Sequence, residues 1–194
     1  MKLIITRHGE TIENTKGIMQ GHLPGKLTEK GKEQARKIAD TLKNEKIDVF
    51  FSSDLKRAKD TIKEIYKYHK SKPLIYTEEL REKDLGELTG KTKKEFNWSL
   101  KSYYFVIYEN KKGEKNKDFL KRVKNFIDYL YKNYKDKTIL ITCHNGIGRA
   151  IIAYITNKEY NNDISSFNNN FVYLFEIIKK NKKYNYTKKR KIIK

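Results

Sequence analysis

The chain has one cysteine, Cys143, and so no internal disulfide; a reducing compartment fits. Two prolines among 194 residues, and no serine-rich stretch or internal repeat, argue against a linker, so residues 1–194 are expected to form a single domain. Long apolar runs are missing too. The opening "MKLIITRHGE" has three consecutive apolar residues before Thr6, too few for the core of a signal peptide, and no run approaches a membrane span. A soluble, cytoplasmic protein with no membrane partner is expected. The four histidines (His8, His22, His69 and His144) show neither H-x-H nor H-E-x-x-H spacing, and no G-x-x-x-x-G-K-[ST] loop occurs. No metal and no cofactor are expected, and His69, near a helix end, reads as a surface residue.

Acidic residues are the scarce charge: 24 against 44 basic ones, a net +20. An anionic partner is worth considering on that ground. Lysine, asparagine, isoleucine and tyrosine are nevertheless over-used throughout, so general composition bias accounts for most of the excess. The basic segment from Lys179 onward has the charge to bind RNA or acidic lipid, but its "YNYT" alternation reads as a charged edge strand and argues against a nucleic-acid partner. Apolar residues reach 37%, too many for a disordered chain.

"KLIIT" (2–6), "DVFFS" (48–52) and "TILIT" (138–142) are short runs suited to strands buried on both faces of a parallel sheet, with "PLIYT" (73–77) a weaker fourth. Helical spacing follows. Ala35, Ile38, Ala39 and Leu42 come after Thr28 as N-cap. Leu55, Ala58, Ile62 and Ile65 come after Ser53 or Asp54, and Leu120 to Tyr134 marks a longer helix. Ile147 to Ile155 is apolar nearly all round and reads as a buried helix. "FVYLFEII" (171–178) and the basic segment after it read as a closing hairpin. The expected fold is α/β, a three-layer sandwich with a mostly parallel central sheet and helices on both faces.

Ligands in such folds bind beyond the carboxyl ends of the strands. Arg7 and His8 follow the first strand there, Arg57 opens the helix after the second, and Cys143 and His144 end the third. The last stretch, "TCHNGIGRA" (142–150), supports two readings. As C-x-x-G-x-x-R it has the spacing of a cysteine phosphatase loop, in which the Cys143 thiolate attacks phosphorus while amides and Arg149 hold the oxygens. Alternatively His144 serves a different nucleophile. Thr142 and Ala150 stand where cysteine phosphatases carry other residues, and a small buried cysteine is the ordinary account of Cys143.

"TRHGETIEN", "GIMQG…LTEKGKEQA", "SSDLKRAKDT", "LREKDLGELTG" and "CHNG" together resemble, in order and at compatible spacing, the histidine phosphatase superfamily, also called the phosphoglycerate mutase-like family. The likeness is to its phosphatase branch of α-ribazole and broad-specificity enzymes. The resemblance implies hydrolysis of a small phosphorylated metabolite through a phosphohistidine on His8, with Glu82 as general acid and base. Arg7, Arg57, His144 and Asn14 would surround the transferring oxygens, a preorganised donor of that kind being worth ~10²–10³ in rate. Gln20, His22 and Lys26 are candidate substrate-loop residues, and Glu10 is assigned support. Pro24-Gly25-Lys26 replaces the family's common Asp-Ser-Pro, and Asn145 stands where glycine is usual. A small helical lid is expected over about 91–116. It leaves less room for an enclosing cap than a phosphoglycerate mutase needs, which makes the mutase the lesser alternative.

Overall fold

The computed structural model describes residues 1–92, 95, 112–160, 167, 169, 171–180 and 183–192. Four strands, β1 (Lys2–Arg7), β2 (Val49–Ser53), β3 (Leu74–Thr77) and β4 (Thr138–Cys143), pair in parallel. A hairpin of β5 (Phe171–Lys180) and β6 (Lys183–Ile192) joins antiparallel to β1, giving the order β3-β2-β4-β1-β5-β6.

Residues of β1, β2 and β4 alternate between two apolar layers, which is why their sequences read as unbroken hydrophobic runs. Leu3, Ile5, Val49, Phe51, Ile139 and Ile141 face α4 (Asn116–Tyr134) and α5 (Asn145–Ile155). Ile4, Phe50 and Leu140 face α2 (Glu29–Leu42) and α3 (Lys56–Tyr66). The expected three layers are therefore present. The polar strand β6 lies at the sheet edge. Among the described residues no helix is long and apolar enough to cross a membrane.

Thr28 caps α2 as expected, its hydroxyl accepting from the Gly31 amide at 2.9 Å. The start of α3 differs from expectation. Its N-cap is Leu55, not Ser53 or Asp54. The Ser53 hydroxyl accepts from the Leu55 amide, while the Asp54 carboxylate is taken by Arg81. His69, expected on the surface, is buried instead: Nε2 lies 3.2 Å from the Leu42 carbonyl, and the ring packs 5.2 Å from Phe50. The expected lid lies mostly outside the described residues; at its far end, Asn116 already belongs to α4.

Register brings the three strand ends level. Arg7 pairs with Cys143 and Ser52 with Thr142. The His8 amide prolongs the ladder by one bond, donating to the Cys143 carbonyl at 3.0 Å. A short helix, α1 (Ile12–Thr15), follows the β1 end.

Candidate active site

His8, at the end of β1, is 2% exposed. Its Nδ1 lies 2.8 Å from the Gly9 carbonyl, which can only accept, so Nδ1 carries the proton. Burial, then the charges of Arg57 and Arg7, hold its pKa well below the usual histidine value. The ring is therefore neutral, with its lone pair on Nε2. The Gly9 amide donates to the Thr61 hydroxyl at 3.0 Å, fixing the turn against α3.

Arg57, in the first turn of α3, is 1% exposed. Its guanidinium donates through Nη1 to the Leu23 carbonyl, through Nη2 to the Gly21 carbonyl at 2.9 Å, and through Nε to His144 Nδ1 at 3.1 Å. Burial brings its pKa down to about 10, so it remains a cation at neutral pH. An arginine N–H cannot accept, so His144 Nδ1 is the unprotonated nitrogen. His144 Nε2 then donates to the Ser53 hydroxyl at 2.8 Å. Burial and the charge of Arg57 depress the pKa of His144 as well, and its ring centroid is 5.2 Å from that of His8. Arg7 comes off the same strand end as His8 and donates to the Phe167 carbonyl at 3.2 Å.

Glu82 reaches this rim from the loop after β3. Its Oε2 accepts from the Gly146 amide at 2.9 Å, and Oε1 from the Ile147 and Lys83 amides at 3.2 and 3.1 Å. The carboxylate thus sits on the first turn of α5, where amides point outward and the helix dipole favours negative charge. The neighbouring residues of "LRE" anchor it. Leu80 is fully buried, and Arg81 forms a two-point pair with Asp54. Arg122 donates to the Arg81 carbonyl at 3.1 Å.

Asn14 forms a reciprocal capping pair with Thr11, its Oδ1 accepting from the Thr11 amide at 3.1 Å. That bond orients the side-chain amide. Gln20 is 7% exposed, and its Oε1 has no hydrogen-bond partner among the described residues. His22 turns its ring to the Glu82 main chain, with Nε2 2.9 Å from the carbonyl. Lys26 is exposed and lines a surface pocket of about 570 Å³ together with Lys32, Lys56 and Lys63, outside the His8–Arg57–His144 cluster. Glu10 accepts from Thr28 and Lys30, a supporting role. Among the described residues no group of three His, Cys, Asp or Glu side chains is arranged to hold a metal ion.

The cysteine reading of "TCHNGIGRA" fails on geometry. Cys143 is fully buried, and burial pushes its thiol far above the ordinary range, so a thiolate is disfavoured. The Gly146 amide that would face a phosphate in such a loop is taken by Glu82. Gly148 faces Phe167, and Arg149 lies over the Tyr160 ring at 5.7 Å. Among the contacts that the sequence does not announce are those of Ser53 with His144 and of His22 with Glu82. Each joins residues at least 60 positions apart, out of reach of any local pattern.

Comparison with known proteins identifies the family. A model of the histidine phosphatase superfamily (branch 1) matches residues 3–185. A metal-independent phosphoserine phosphatase of Arabidopsis thaliana is 32% identical over 163 residues, covering 80% of this chain and 68% of that protein. A broad-specificity phosphatase of Saccharomyces cerevisiae is 32% identical over 162 residues, 80% of this chain and 70% of its own length. The crystal structure of the alpha-ribazole phosphatase from Shigella flexneri superposes with a TM-score of 0.83 at 26% identity, over 95% of this chain and 93% of that one. The chain belongs to the histidine phosphatase superfamily, branch 1.

Proposed function

We propose that the chain is a cytoplasmic, single-domain phosphatase that hydrolyses small phosphomonoesters without a metal, through a phosphohistidine on His8. One observation carries this reading: a buried, neutral imidazole whose Nδ1 proton is committed to the Gly9 carbonyl, leaving Nε2 with its lone pair beside two guanidinium groups.

In the first step His8 Nε2 forms a bond to phosphorus as the phosphorus–oxygen bond to the leaving group breaks. The departing oxygen keeps the electron pair and takes a proton from the Glu82 carboxyl. In the second step the Glu82 carboxylate takes a proton from water as the water oxygen attacks phosphorus, and the phosphorus–nitrogen electron pair returns to Nε2. Three amides occupy three of the about four lone-pair sites of the carboxylate, which leaves one, on Oε2, to carry the shuttled proton. Arg57 and Arg7 supply fixed positive charge for the phosphoryl oxygens, and Asn14 a neutral donor. His144, whose ring nitrogens meet Ser53 and Arg57, faces His8 across the pocket as the fourth residue around the phosphoryl oxygens.

The test is hydrolysis of p-nitrophenyl phosphate in EDTA. His8→Ala is expected to abolish turnover and the acid-labile phosphoenzyme, whereas Cys143→Ser is expected to retain both. An active His8→Ala variant alongside a dead Cys143→Ser variant would sink the reading.

A further inference from the structure

We propose that His22 is a positioning residue for Glu82, fixing the acid–base carboxyl relative to the phosphate pocket and so setting how well the enzyme releases poorly departing alcohols. This rests on the reading of Glu82 as the acid–base residue.

The loop 20–25 carries two kinds of contact. Its backbone faces Arg57: the carbonyls of Gly21 and Leu23 accept from the guanidinium, and the Pro24 carbonyl accepts from the Arg57 amide at 3.0 Å. The Leu23 amide donates to the Gln20 carbonyl at 2.8 Å and closes the turn. From the middle of this turn the ring of His22 points the other way, to Glu82, and spans 60 residues of sequence with a 2.9 Å contact. The Glu82 carbonyl can only accept, so His22 Nε2 is the donor. One short turn therefore grips the phosphate-holding arginine with its main chain and the acid–base residue with its one imidazole.

The bond acts on the main chain of Glu82, not on its carboxylate. The Arg81 carbonyl, one residue earlier, is held by Arg122, and the carboxylate oxygens rest on the amides of α5 and Lys83. Without His22 the main chain of Glu82 loses its link to the Arg57 loop. The carboxyl keeps its seat on α5, but its distance to the departing oxygen is no longer fixed from the phosphate side. Displacements of about 1 Å in such a group typically cost on the order of 10²-fold.

The chemistry supplies a discriminating readout. A nitrophenolate leaves without a proton, whereas an alkoxide does not. The test compares single-turnover phosphoryl transfer from p-nitrophenyl phosphate and from glycerol 2-phosphate. The proteins are wild type, His22→Asn, which is too short to reach the carbonyl, His22→Gln, which restores the reach with an N–H donor, and Glu82→Gln. Folding of each is checked by circular dichroism.

His22→Asn is expected to slow transfer from glycerol 2-phosphate by roughly 10–100-fold, while p-nitrophenyl phosphate changes by less than about threefold. The half-saturating concentration stays constant, and His22→Gln recovers most of the loss. An equal loss on both substrates would mean that His22 merely supports the Arg57 loop, and no loss on either would mean that the contact is idle; both overturn the proposal. Glu82→Gln is the separate control. If it fails to distinguish the two substrates, the acid–base reading itself falls and the proposal with it. If it distinguishes them and His22→Asn does not, only the proposal falls.

Discussion

Two glycines at the site look alike in sequence and differ in what surrounds them. A Cβ on Gly146 would lie 2.4 Å from Glu82 Oε1, the far end of a flexible side chain. A Cβ on Gly31 would lie 2.0 Å from the Glu10 carbonyl oxygen, which is main chain and cannot swing away. Gly9 meets the same crowding, 2.2 Å from the Gly31 carbonyl oxygen, so the turn carrying His8 and the start of α2 approach backbone to backbone. Gly146→Ala should therefore push the Glu82 carboxylate off α5 and lower kcat by roughly 10²-fold, with little change in thermal stability. Gly31→Ala should instead cost about 1–3 kcal/mol or more of folding stability, because the helix and the turn must separate. Thermal melts and steady-state rates on both variants check the contrast. If Gly146→Ala melts far below wild type, the first turn of α5 is less forgiving than its geometry indicates.

At the scale of elements, one carboxylate gathers four of the hydrogen bonds that link α4 to its own turn, to α5 and to the hairpin β5–β6. Asp128 of α4 accepts from Lys179 of β5 and Tyr184 of β6 through Oδ1, at 2.5 and 2.7 Å. Its Oδ2 accepts from Lys124 and from Tyr154 of α5, at 2.8 and 3.0 Å. Burial opposes the charge, but these four hydrogen bonds outweigh it and hold the pKa far below the usual carboxylate range. A depressed folded pKa stabilises the protein above the unfolded value near 3.9, and that contribution is lost as pH falls below it. Asp128→Asn should lower the urea midpoint by an amount equivalent to about 1–3 kcal/mol at pH 7, while activity per folded molecule is retained. An unchanged midpoint would show that the β1–β5 ladder and the remaining contacts of Tyr184 hold the hairpin without Asp128. The hairpin was legible from "FVYLFEII" and the polar strand after it; its anchor was not. Asp128 sits on a helix face with lysines four residues away, which in one dimension reads as solvated charge. The same asymmetry runs through the site. His8, Arg57 and His144 could be placed on one rim because strands end where apolar runs end, and ends of parallel strands lie together. Their donors and acceptors could not, because the hydrogen bonds of Ser53 and His22 depend on how loops cross. Hydrophobic periodicity carries no record of that. His69 was misplaced for a related reason: one apolar neighbour in space, Phe50, belongs to a different element.

For the whole molecule, the two buried imidazoles set a pH dependence that can be separated from that of the excess charge. His8 and His144 both have pKa values depressed by burial and by Arg57. Above the unfolded value near 6.5, both states hold these rings neutral and the rings add no pH dependence. Below it the unfolded chain takes up protons that the native state refuses, so stability falls as pH falls, by about 1.4 kcal/mol per pH unit for each ring, until the folded pKa is reached. Self-repulsion from a net charge of +20 acts in the same direction, because acidification adds positive charge to an already basic molecule. Salt separates the two. Repulsion between exposed charges is screened over about 10 Å at 0.1 M, whereas proton refusal by a buried ring is not. Urea midpoints measured between pH 7 and 5, at low salt and at 0.3 M, should therefore retain most of their slope in salt. His8→Gln should remove close to one ring's share of that slope, whatever it does to catalysis. If salt flattens the profile, or if His8→Gln leaves it untouched, the acid sensitivity belongs to the surface charge, and the His8 ring is not held neutral by its surroundings.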